Sequence, residues 1–123
     1  MKRAVIVGAG GAGLAALHAM QQAGFEVLAL EQHAELGGVW ATTKYPSLAM
    51  HAKSFSYRFH DYPPMASRDA HATGAEVRAY FAAYARDKRI ADKIHYGQRV
   101  DRIVRRSDGR CVVAGRECDA VIV

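Results

Sequence analysis

Three glycines, Gly8, Gly10 and Gly13, fall within the run Gly8-Ala9-Gly10-Gly11-Ala12-Gly13. An acidic residue, Glu31, follows about 20 residues beyond the turn. In such a run the first glycine permits a tight turn out of a strand. The second lets the main chain approach a pyrophosphate, and the third allows a helix to pack closely on the strand. Phosphates then lie at the helix N-terminus, where free N–H groups and the positive dipole end favour anions. A carboxylate at the position of Glu31 accepts hydrogen bonds from the adenosine ribose hydroxyls, and it disfavours a 2′-phosphate, which would place anion against anion. These residues imply an adenine dinucleotide and leave FAD and NAD both open.

That chemistry requires a strand, turn, helix and second strand in immediate succession. Ala4 to Val7 is a continuous apolar run ending at glycine, the pattern of a parallel strand buried on both faces. From Gly11 the small residues Ala12, Ala15, Ala16 and Ala19 suggest a helix in close approach to a sheet. Leu14, Leu17 and Met20 supply bulk, and Gly24 ends the helix. Val27 to Leu30 reads as the second buried strand. Between Gln32 and Arg68 no helical or strand period is sustained, and Gly37, Gly38, Pro46, Pro63 and Pro64 punctuate a loop long enough to imply function. A short helical turn is expected within it, at Ser54 to Arg58.

Thr73-Gly74-Ala75-Glu76 has the form of a capping box. Val77, Tyr80, Phe81, Tyr84 and Ala85 then recur at the spacing of one buried helical stripe. Strands are expected to start at His95-Tyr96 and to run over Val100 to Val104, Cys111 to Val113 and Asp119 to Val123, with a hairpin turn at Ser107-Asp108-Gly109.

The chain of 123 residues is half hydrophobic, the size and composition of one globular domain. Its apolar runs fall far short of the roughly 20 residues that span a bilayer, and no secretory signal pattern is present, so a cytoplasmic setting is expected. Cys111 and Cys118 lack metal-ligand spacing and read as packed, reduced thiols. The net charge of +5 is concentrated in Arg99, Arg102, Arg105, Arg106, Arg110 and Arg116. With no aromatic-basic motif beside them, these read as a solvated hairpin face rather than a nucleic-acid site. No histidine has a metal-binding spacing, and no metal site is expected.

The segment Glu31-Gln32, followed by Glu35-Leu36-Gly37-Gly38-Val39-Trp40, resembles the acidic residue and Gly-Gly-x-Trp segment of flavin-dependent monooxygenases. Tyr45-Pro46-Ser47-Leu48 and Phe59-His60-Asp61-Tyr62-Pro63 look like the next stretches of the flavin-containing monooxygenase family, and the later elements follow in its order. The resemblance covers essentially the whole chain. It implies an α/β fold: a Rossmann-like, FAD/NAD(P)-binding three-layer fold with a parallel sheet and a β-hairpin. Residues 1–123 would be the N-terminal portion of that single domain, incomplete and about a quarter of a longer parent.

The cofactor implied is FAD, contacted by Gly8 to Gly13 (including Ala9, Gly11 and Ala12), by Glu31 and Gln32, by Gly38, Val39 and Trp40, and by His51 and Val100. NADPH is implied at a second site that these residues do not contain, with O2 as oxidant and one oxygen passed to a soft nucleophile or a carbonyl compound. His51 stands where the family usually has asparagine, and histidine titrates near neutrality where an amide does not. No residue is assigned as acid, base or nucleophile. Whether the parent is a flavin-containing or a Baeyer-Villiger monooxygenase stays open. Disulfide reductases are excluded, because the positions after Gly37-Gly38 hold Val39 and Trp40 rather than redox cysteines. Two other readings remain: a non-catalytic dinucleotide-binding fragment, and a small NAD-binding domain. Self-association through an exposed sheet edge is also expected.

Overall fold

The computed structural model describes residues 1–65 and 70–123; the last part of the loop expected to run to Arg68 lies outside the described residues. Strand β1 (Arg3–Val7) leads through the glycine turn into helix α1 (Gly11–Gln22), and the chain returns as β2 (Glu26–Leu30), parallel to β1 with Val5 opposite Leu28. Gly24, at φ +88°, carries the chain out of α1. Its N–H donates to the Gln21 carbonyl at 3.0 Å and that of Phe25 to the Met20 carbonyl at 3.1 Å, closing the helix with a Schellman motif.

A four-residue helix α2 (Val39–Thr42) interrupts the loop predicted to be aperiodic, and the helical turn expected over Ser54 to Arg58 is a 3₁₀ turn at Ser54–Ser56. Helix α3 (Gly74–Asp87) starts at the predicted capping box: the Glu76 N–H donates to the Thr73 hydroxyl at 3.2 Å, and the Thr73 N–H donates to the Glu76 carboxylate. Its stripe of Val77, Tyr80, Phe81, Tyr84 and Ala85 is buried. Asp61 anchors its loop to both long helices, pairing with Lys88, the residue that follows α3, at 3.0 Å and with His18 of α1 at 3.1 Å.

Strand β3 (Ile94–His95) follows, one residue earlier than expected. The strand expected at Val100 to Val104 is β4 (Ile103–Arg105), leaving Val100 in irregular chain; Arg99, Asp101 and Arg102 beside it are exposed. Strands β5 (Cys111–Val113), β6 (Arg116–Cys118) and β7 (Ala120–Ile122) complete the order.

The parallel sheet runs β3-β2-β1-β7, and a three-stranded antiparallel sheet runs β4-β5-β6. Alternation along the central strands sorts side chains to two faces. Ala4, Ile6, Val27 and Ala29 pack with Leu14 and Leu17 of α1 and Val77, Phe81 and Tyr84 of α3. Val5 and Leu30 pack instead on Val113 and Cys118 of the antiparallel sheet. The result is the predicted three-layer α/β arrangement, with helices, parallel sheet and antiparallel sheet in sequence. One detail differs. Ala12, Ala15 and Ala19 are exposed, and α1 meets the sheet through Gly13, Leu14 and Leu17, because the apolar bulk and not the small side chains takes the inward face. On the antiparallel sheet, Arg106 and Arg110 both pair with Glu117 at the surface, the solvated face expected of this arginine cluster.

Candidate cofactor-binding site

The sheet order makes a crevice at a defined place. From β1 the chain passes to β2 on one side, while β7 lies on the other, so the C-terminal ends of β1 and β7 form a topological switch point. A cavity of about 310 Å³ opens there, lined by Val7, the glycine turn and Ile122.

Gly8 leaves β1 at φ +102° and its N–H donates to the Leu30 carbonyl at 2.9 Å, binding the turn to the end of β2. Gly13 cannot carry a side chain: a Cβ there would lie 2.1 Å from the Gly8 carbonyl oxygen. Gly10 caps α1 without any side-chain hydrogen bond, and the first turn, Gly11 to Gly13, has no acidic residue. The first N–H groups of a helix have no intrahelical acceptor, so this end presents donors and a positive dipole to the crevice.

Glu31, directly after β2, is 4% exposed. Its Oε1 accepts from the Ala9 N–H at 2.9 Å and its Oε2 from the His33 N–H at 2.8 Å. A carboxylate offers about four acceptor positions, so two remain for hydroxyl donors. The main chain of Glu31 is held on both sides, by the His95 carbonyl and the Gln98 N–H, each at 2.9 Å. The fold thus fixes a buried carboxylate beside the glycine turn. Gln32 follows it on the surface, and Val100 is half-buried against the cluster containing Leu30.

A second glycine pair closes on the first. Gly37 donates its N–H to the Ala9 carbonyl at 2.8 Å, and Gly38, at φ +60°, sits so that a Cβ on it would be 3.2 Å from the Gly10 Cα. Gly38 then starts α2, which leaves Val39 exposed and Trp40 half-buried. The Trp40 indole N–H donates to the Tyr57 hydroxyl at 3.1 Å, and Arg78 of α3 donates to the Trp40 carbonyl at 3.1 Å. Tyr57 and Phe81 wall a second cavity, of about 280 Å³, that shares Gly11 and Ala12 with the first. Sequence reasoning did not single out Tyr57 or Arg78, which lie 17 and 38 residues from Trp40 with no periodic relation to it. The structure gathers Gly8 to Gly13, Glu31, Gly38 and Trp40. His51 is exposed on the loop.

The donor set suits an anionic dinucleotide: an uncapped helix end, two backbone segments kept free of Cβ atoms, and a carboxylate with spare acceptor capacity. The NAD(P)-binding Rossmann-like domain family matches residues 6–84. The probable FAD-binding monooxygenase AlmA of Acinetobacter is 32% identical over 100 residues, 78% of this chain and 20% of that protein. The putative FAD-containing monooxygenase MymA of Mycobacterium tuberculosis is 31% identical over 99 residues, with 79% and 20% covered. The chain therefore spans about a fifth of the length of these curated relatives. An oxidised steroid monooxygenase bound to NADP superposes with a TM-score of 0.81 at 30% identity, over 94% of this chain and 23% of its own. S-allyl-L-cysteine S-oxygenase from Allium sativum shares the fold, with a TM-score of 0.87 at 21% identity over 98% of this chain and 35% of its own. The chain belongs to the NAD(P)-binding Rossmann-like domain family and corresponds to the N-terminal, FAD-binding Rossmann portion of the flavin monooxygenases.

Proposed function

We propose that residues 1–123 form the FAD-binding segment of an NADPH- and O2-dependent monooxygenase acting in the cytoplasm. The observation that carries this reading is the buried Glu31 carboxylate, bound to the Ala9 N–H beside an uncapped helix start and faced across Gly10 by the main chain of Gly38. In this reading Glu31 accepts from the adenosine ribose, with Gln32 and Val100 beside it. Gly11, Ala12 and Gly13 donate to the pyrophosphate, while Gly38, Val39 and Trp40 border the remainder of the cofactor. His51 lies beside the flavin. When bound, FAD supplies the redox chemistry with NADPH and O2, and this chain's residues bind, orient and shield it. The NADPH site belongs to sequence outside these residues. Edge strand β7 supports self-association of the isolated chain by strand pairing, which light scattering tests: a concentration-independent monomer would refute it.

Trp40 is the chain's sole tryptophan, so its fluorescence reports cofactor binding. Titration with FAD is expected to quench it, and Glu31→Ala is expected to weaken FAD by about tenfold or more, since a hydrogen bond to a charged group contributes roughly 1.5–3 kcal/mol. Equal FAD affinity in a folded Glu31→Ala chain would overturn the assignment. A second reading, an NAD-binding domain, is favoured by the same turn and by Glu31, which serve any adenosine ribose.

A further inference from the structure

The chain's two cysteines face each other across one hairpin. Strands β5 and β6 are joined by Ala114 and Gly115, both at positive φ (+47° and +76°), the two-residue turn whose twist matches that of antiparallel strands. This turn closes Val113 on Arg116, which sets Val112 opposite Glu117 and Cys111 opposite Cys118. Directly opposed residues project from one face. Here that face packs on Val5 and Leu30. The Cys118 thiol donates to the Cys111 carbonyl at 3.7 Å, reaching across to the partner strand. Cys118 is fully buried and Cys111 is half-buried.

We propose that Cys111 and Cys118 form an oxidisable dithiol, which a small hydroperoxide converts into an intramolecular disulfide bridging β5 and β6. Opposed Cβ atoms in an antiparallel pair are about 4.5–5.5 Å apart, and a disulfide needs about 3.5–4.5 Å. Cys111 and Cys118 form a hydrogen-bonded pair, at the wide end of that range, so closure asks for a contraction of about 1–2 Å in a short surface hairpin. Cys111, the more accessible sulfur, attacks first as its thiolate. The O–O bond breaks, hydroxide or alkoxide leaves, and Cys111 becomes a sulfenic acid. Cys118 then attacks that sulfur, the S–O bond breaks, and the departing hydroxide leaves as water with the Cys118 proton. Two thiols lose two electrons and the peroxide gains them, giving one disulfide with two waters, or with one water and one alcohol. Burial pushes the Cys118 thiol above its ordinary range, with Cys111 and Asp119 adding to it, which suits Cys118 to the second step rather than the first. The proposal is independent of the cofactor assignment.

The test treats the full, reduced chain with one equivalent of hydrogen peroxide, quenches under denaturing conditions with an alkylating reagent, and weighs the product. The expected product is monomeric, lighter by two hydrogen atoms, free of alkylated cysteine, and restored by dithiothreitol. Cys111→Ser is expected to leave Cys118 fully alkylated. Moving the thiol to the opposite face, with Val112→Cys in a Cys111→Ala background, is expected to slow disulfide formation on the order of tenfold. Two unreacted thiols overturn the proposal, as does a sulfinate on Cys111 beside an alkylated Cys118. A disulfide formed only between chains, or equal rates in the face-shifted variant, overturns it too.

Discussion

Gly13→Ala separates the packing role of the glycine turn from its binding role. A Cβ at Gly13 would stand 2.1 Å from the Gly8 carbonyl oxygen and 2.8 Å from its carbon. A carbon and a carbonyl oxygen in ordinary contact lie about 3.3 Å apart, so α1 and β1 must separate by about 1 Å. Both sides of the contact are main chain, and no flexible side chain can yield. Overpacking typically costs about 1–3 kcal/mol, and this case belongs at the upper end, because Leu14 and Leu17 lose contact with the sheet as the helix lifts. At about 4 °C per kcal/mol for a chain of this size, the melting temperature falls by about 12 °C. Gly10→Ala is the internal control. Gly10 already has φ −78°, and its Cβ would meet the Gly38 Cα at 3.5 Å, an ordinary contact, so stability changes by no more than about 0.5 kcal/mol. Thermal unfolding followed by circular dichroism measures both. A Gly13→Ala chain melting with the wild type, or a Gly10→Ala chain falling as far as Gly13→Ala, would refute the reasoning.

Glu31→Gln retains one acceptor but turns an amide N–H₂ toward a main-chain N–H, so denaturant unfolding should show a loss of about 1–3 kcal/mol; no loss would mean the Ala9 and His33 bonds contribute nothing. Ala114→Asn, at φ +47° before Gly115, creates the Asn-Gly pair preferred in this turn and should stabilise by about 0.5–1 kcal/mol in the same assay. Burial, with Asp61 adding to it, pushes the Tyr84 hydroxyl up to about 12. The fold thus favours the protonated phenol. That contribution is complete below about pH 10, the unfolded value, and is lost as pH rises through about 12. Unfolding at about pH 9 and about pH 11 should show wild-type stability declining, with a shallower decline in Tyr84→Phe; equal slopes would remove Tyr84 from the alkaline limb.

Much of this was legible in local pattern. The apolar run Ala4 to Val7 ending at glycine, and its repeat at Val27 to Leu30, mark the two central strands of the parallel sheet. Thr73 and Glu76 announce α3, because a capping box is a relation within four residues. Elements set by distant partners were not legible. Helix α2 starts from Gly38, whose conformation depends on Gly10 behind it, and Trp40 is oriented by Tyr57 and Arg78 from remote segments. The strand predicted from Val100 begins only at Ile103, where β5 supplies a partner. Ala12, Ala15 and Ala19 of α1 misled for a related reason, while Ala16 does pack against the core: small residues permit close approach, but the larger apolar side chains decide which face turns inward.

Isothermal titration calorimetry of the purified chain with FAD, NAD and NADP in parallel tests the central claim most directly. The account predicts saturable one-to-one binding of FAD, weakened by about tenfold or more by Glu31→Ala, with NAD weaker and NADP weakest because its 2′-phosphate would meet the buried Glu31 carboxylate. Binding of NAD without binding of FAD would contradict it.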